Sequence, residues 1–188
     1  MQTTLTLRPT LWRTCRVLAN HSRLALFGWL VQQPDQTVSV LSKRLCLPMS
    51  MTSEYLRALE ARGLLTVCRS GRWVKYRLAP VERGSLGSAL VPALRAVFRQ
   101  ESTPVETAFK LATAFTHPRR IEIFRKLHAG ACTLDQLKAA THIPMVALRR
   151  HLRKLEARGF IARRGRFFVG MRHSIGFGRE LIRLAARE

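Results

Sequence analysis

Apolar residues recur at helical spacing through most of this chain, and twice the pattern gives way to short strand-like runs. Leu24, Phe27 and Leu30 share one side of a helix over about 22–32, and Ile121, Phe124 and Leu127 do so over about 118–128. A helix near 11–18 corresponds to one near 105–115. There Thr103, Pro104 and Glu106 predict an N-cap, a first-turn proline and a capping box. Two shorter helices then flank a tight turn at Leu47-Pro48 and again at Ile143-Pro144. After Gly63 and Gly159, which suit the left-handed conformation that closes a helix, apolar runs at 64–68 and 73–78 about Ser70-Gly71 predict a two-stranded hairpin. A second hairpin is expected about Gly165. Final apolar segments at 86–98 and 175–186 read as helices, with Pro92 predicting a break or late start in the first.

These elements come in the same order twice because the sequence repeats. YLRALEARGLL at 55–65 recurs as HLRKLEARGFI at 151–161, a shift of 96 residues. At that shift VSVLSKRLCLP falls on LDQLKAATHIP, and with a one-residue gap RLALFGWL falls on RIEIFRKL. The expected architecture is mainly α with small β wings. It comprises two tandem winged helix-turn-helix domains, 1–100 and 101–188, with a boundary near 100–103.

Charge turns this fold reading into a functional one. The 188 residues carry 33 Lys and Arg against 11 Asp and Glu, a formal net charge of +22. The excess is shared equally, 15 basic against 4 acidic side chains in 1–100 and 18 against 7 in 101–188. A polyanionic partner follows, met by two folded basic surfaces rather than by a disordered arm. The longest useful apolar run, 24–31, is far short of a membrane span, and the N-terminus has no signal-peptide apolar core. Cys15, Cys46, Cys68 and Cys132 are scattered without a CxxC pair, which fits free thiols in a reducing cytoplasm. The expected location is cytoplasmic and nucleoid-associated, with no membrane partner.

With Thr52, Leu56 and Leu59 turned inward, the helix after the first turn presents Ser50, Glu54 and Arg57, with Ser53 at the edge. With Leu148, Leu152 and Leu155 inward, its counterpart presents Val146, Arg150 and Arg153, flanked by Arg149 and Lys154. Such faces suit the major groove, where base edges display distinguishable donors and acceptors. Glu54 has three open roles: accepting from a cytosine amino group, repelling phosphate, or pairing with an arginine. Arg69, Arg72, Lys75 and Arg77 surround the first hairpin and Arg163, Arg164 and Arg166 the second, placed to meet phosphates or a minor groove.

The order of helices, the turn before the second short helix and the LEARG-L/F-L/I ending with its basic hairpin resemble the ArsR-like winged-helix repressors. The resemblance covers most of both repeats. It implies DNA binding as a dimer that packs its first and last helices together, so this chain looks like two such subunits fused. It further implies an intramolecular pseudo-dimer, or a homodimer of the whole chain, on double-stranded DNA. Because Ser50, Ser53 and Glu54 stand opposite Val146, Arg149 and Arg150, an asymmetric target is expected.

Metal-sensing members of that family carry a C-x-C motif in the helix before the turn, where this chain reads VLSKRLC and DQLKAAT. Cys46 alone cannot build a tetrahedral thiolate site, even with His142 at the matching place, and no cofactor or metal is expected. His128 and Cys132 are expected to border a surface loop. Cys15 and Cys68 read as buried inert thiols, with oxidant sensing as the alternative. GxxxxGK, HExxH and GxSxG are absent and Gly176 and Gly178 form a lone GxG, so an enzyme is not expected. The leading expectation is a sequence-specific transcriptional regulator acting as a repressor. The rivals are an architectural or replication-initiation protein with weak sequence preference, and a winged-helix module for protein or RNA.

Overall fold

The computed structural model describes residues 10–82 and 85–188. The expectation about a leader falls partly on 1–9, outside the described residues. The chain is mainly helical, with two small antiparallel sheets. Helices α1 (Leu11–Leu18) and α2 (His21–Gln32) lead to strand β1 (Gln36–Thr37), helices α3 (Val38–Arg44) and α4 (Met49–Glu60), and strands β2 (Leu65–Ser70) and β3 (Trp73–Leu78). Helix α5 (Leu86–Gln100) closes this series. The same order follows: α6 (Pro104–Ala112) with a 3-10 turn at Thr113–Phe115, α7 (Pro118–Ala129), β4 (Cys132–Thr133), α8 (Leu134–Thr141), α9 (Met145–Glu156), β5 (Ile161–Arg164), β6 (Phe167–Gly170) and α10 (Gly176–Ala185).

Four expectations need correction. Each hairpin is part of a three-stranded sheet, in the orders β1-β3-β2 and β4-β6-β5. Gln36 pairs with Tyr76 and Cys132 with Phe168, and Cys132 opens β4 at the border of the 130–131 loop, where it was expected. The first hairpin turns at Gly71-Arg72, since Ser70 still pairs with Trp73; Gly71 and Gly165 take φ of +58° and +59°, which side chains rarely adopt. Pro92 leaves α5 unbroken. It lies on the exposed side, while Leu90, Val91, Leu94 and Val97 are buried on the other, and that burial outweighs the roughly 3 kcal/mol an interior proline costs. Finally, no capping box closes on α6: Thr103, at ψ 66°, makes no side-chain cap, and Glu106 turns to another partner, its Oε1 lying 3.0 Å from His21 Nε2.

The two series share one core. Helix α5 packs on α6 and α10, and α6 on α1 and α2, so the outer helices of each half cover those of the other. His21 stacks on Phe109 with ring centroids 4.0 Å apart, and the Leu11 N–H donates to Glu188 Oε1 at 3.1 Å. Phe115, Phe124 and Phe160 form an edge-to-face cluster under α7 and α9. Gly87 opens α5 against the backbone of Gly63, where a Cβ would collide with the Gly63 carbonyl oxygen.

A candidate nucleic-acid interface

Helix α9 is aimed by the turn before it. Thr133 and Gln136 close a reciprocal capping box on α8, with Thr133 N–H donating to Gln136 Oε1 at 2.8 Å and Gln136 N–H to Thr133 Oγ1 at 3.3 Å. His142 ends α8 in the left-handed conformation, φ +52°, and Pro144 starts α9, its carbonyl accepting the Leu148 N–H at 2.9 Å. Cys46 takes the same φ between α3 and α4, so the two positions weighed as ligands are turn residues. Among the described residues no three His, Cys, Asp or Glu side chains come together as a metal group. The described helices include none long and apolar enough to cross a membrane.

Leu148, Leu152 and Leu155 are buried, which leaves Arg149, Arg150 and Arg153 exposed, Lys154 half-buried and Val146 83% exposed. Arg149 and Arg153 face the hairpin across a cleft of about 790 Å³, whose other wall carries Arg163, Arg166 and Phe168. Asp135 and Glu156 also line it, so the cleft is basic without being purely so. Arg166 lies over the Phe167 ring, 5.1 Å from its centroid. Arg163 Nε donates to the Gly165 carbonyl at 3.0 Å, which ties that side chain to the hairpin tip. Arg164 alternates to the opposite face of β5 and is outside the cleft.

The first half presents a different face. Thr52, Leu56 and Leu59 are buried and Ser50, Glu54 and Arg57 exposed, with Ser53 half-buried at the edge. Arg57 Nε donates to the Ser53 carbonyl at 3.3 Å. Met49 and Met51 are also exposed, an apolar contribution that the helical spacing had not singled out. Arg69 and Arg72 are exposed, Arg72 stacked 5.0 Å from the centroid of Trp73, which is itself 50% exposed. Lys75 is half-buried. Arg77 is not a free cation, because its Nε lies 2.6 Å from Asp35 Oδ1.

Sequence reasoning missed a cluster on the other flank of α9. His151 is 4% exposed and packs in a tilted pair against His117, the residue that caps α7 by accepting the Arg119 N–H at 3.1 Å. Position 151 falls between Leu148 and Leu152 on the inward side, so the spacing held the signal. Burial, then His117 and the guanidinium groups of Arg120, Arg150 and Arg119, push His151 down to about 4. His117 is lowered too, first by burial and then by Arg120, Arg119, Arg150 and Arg16. Burial holds the Cys15 thiol well above its ordinary range, reinforced by Glu188, which describes an inert side chain.

A family model described as a helix-turn-helix domain matches residues 115–164. The match takes in α7, α8, α9 and β5, and with them Arg149, Arg150, Arg153, Lys154, Arg163 and Arg164. Among curated proteins, none matches the chain. The second half therefore carries a helix-turn-helix domain.

Proposed function

We propose that the chain is a sequence-specific regulator of transcription, a repressor that binds double-stranded DNA through two non-identical winged helix-turn-helix units. One observation carries the reading. A helix-turn-helix second helix exposes Arg149, Arg150 and Arg153 beside a hairpin bearing Arg163 and Arg166, which suits a helix in the major groove and a wing on the backbone.

The tandem arrangement, with units near 1–100 and 101–188, is supported by the recurrence of element order, sheet order and turn geometry between the halves. Packing of α5 on α10 and of α6 on α1 favours an intramolecular pseudo-dimer over a homodimer built through those same surfaces. Two reading helices would then address successive grooves about 34–36 Å apart. Their unlike faces call for an asymmetric site, with the second half as the stronger anchor. The protein would act in the cytoplasm, at the nucleoid, without a cofactor.

Selection from random duplexes tests this. Enrichment of one asymmetric motif is the expected result, and no enrichment would refute it. The net charge of +22 gives the architectural reading its own support. That alternative requires a log-log salt slope of about −9 for roughly ten neutralised phosphates, with little change between sequences.

A further inference from the structure

Beside α9, on the side away from the hairpin, lies a second cleft of about 640 Å³ lined by His117, Arg120, Arg150, Lys154 and Arg158, with His151 in its wall. Among the described residues no carboxylate lines it. Arg120 donates to Thr116 Oγ1, yet its buried Nε finds no acceptor among the described residues, and Arg158 is held by Nε donation to Thr113 Oγ1 at 2.9 Å. With Arg153 at its edge, five cationic side chains, Arg120, Arg150, Arg153, Lys154 and Arg158, thus line the cleft without a counter-charge among the described residues. Their crowding is felt in the groups themselves: burial first, then neighbouring guanidinium groups, lowers Arg120 and Lys154.

The first half has no equivalent arrangement of charge. Where the second has His117, Arg150, His151 and Lys154, it carries Asn20, Glu54, Tyr55 and Ala58. Arg23, which corresponds to Arg120, is covered there by the Tyr55 ring at 4.9 Å and donates to the Val17 carbonyl. Its buried Nε, like that of Arg120, has no acceptor among the described residues, so the halves differ in the charge gathered around this arginine and not in its own bonding.

We propose that the cleft at Arg120, Lys154 and Arg158 is a binding site for a multivalent oxyanion of the phosphate type, with His117 at its rim. Lys154 and Arg158 supply charged donors from the end of α9 and from the turn after it. The neutral His117 ring, whose Nδ1 already accepts from Arg119, carries its proton on Nε2 and so offers a further donor. Two sources share this chemistry: a backbone phosphate of a duplex held by α9, and a free phosphate ion. Only the first rests on the DNA-binding reading.

The test follows the histidine ring protons of the full chain by NMR at constant ionic strength. Inorganic pyrophosphate, chloride and a selected duplex are titrated separately, with fluorescence anisotropy recording duplex binding. His128 and His142, outside the cleft, are internal references. The proposal expects pyrophosphate to shift His117 and His151 saturably and to raise the His151 midpoint by about 1 to 3 pH units, with Lys154→Gln weakening the response roughly tenfold. A response to the duplex alone, lost in Lys154→Gln, assigns the site to backbone phosphate and also supports the proposal. Rings that move no more than the references with either pyrophosphate or a bound duplex overturn it. A duplex that does not bind refutes the DNA reading, and the pyrophosphate titration then decides the cleft on its own.

Discussion

His151 of α9 packs in a tilted pair against His117 at the start of α7, ring centroids 4.8 Å apart and the planes inclined by 41°. Both rings are held neutral by burial and by surrounding guanidinium groups. His151 titrates at about 4 in the folded chain against an ordinary 6.5, so between those values the unfolded chain binds a proton that the folded chain rejects. Stability is complete above about pH 6.5 and falls as pH drops towards 4, by up to about 3 kcal/mol. His151→Tyr, which copies Tyr55 of the first half, is expected to flatten that slope. Urea midpoints between pH 4 and 7 check it, and an unchanged slope would contradict it.

The reading helix and the hairpin make separable contributions. Arg150→Ala and Arg153→Ala are each expected to cost about 1 to 3 kcal/mol on the selected site and to relax preference at one position. Arg72→Ala and Arg166→Ala should weaken all duplexes alike and lower the salt slope by about 1. Arg77→Ala should do less, since its cation already belongs to Asp35. Affinities on selected and scrambled duplexes at several salt concentrations separate the groups, and identical behaviour would refute the division.

Gly87→Ala should destabilise the fold by about 1 to 3 kcal/mol, because the added methyl meets the Gly63 backbone rather than a movable side chain. A shift in urea midpoint without loss of the helical signal is the expected observation. Unaltered stability would mean that α5 approaches Gly63 less closely.

Much of this architecture was legible in the sequence, for identifiable reasons. Leu148, Leu152 and Leu155 are all buried, so helical spacing alone oriented α9 correctly and left its arginines outside. What escaped depends on partners distant in the chain. Strands β1 and β4 are two residues each, too short for an alternating pattern, and exist because β3 and β6 offer an edge. Glu106 sits where a capping box needs it but answers to His21, 85 positions earlier in the chain. Arg77 appeared free because nothing local announces Asp35. The paired histidines were within reach of the spacing argument, which had followed only the leucines.

The cysteines differ in exposure, and their chemistry should follow. Cys46 is exposed, Cys68 and Cys132 are half-buried, and Cys15 is fully buried with its thiol held protonated. With a thiol reagent at neutral pH, Cys46 should be modified first and Cys15 only on unfolding. Mass mapping of a time course reads the order, and early modification of Cys15 would contradict its place in the core.

The central claim is that α9 reads base sequence. Its most direct test is competitive binding of a selected duplex and a scrambled duplex of equal length at physiological salt, for the native chain and for Arg150→Ala/Arg153→Ala. The expected result is a preference of about 10³ or more for the selected duplex in the native chain, largely lost in the variant while weak general binding persists. Equal affinity of the native chain for both duplexes would contradict the claim and leave a protein that holds DNA by its phosphates alone.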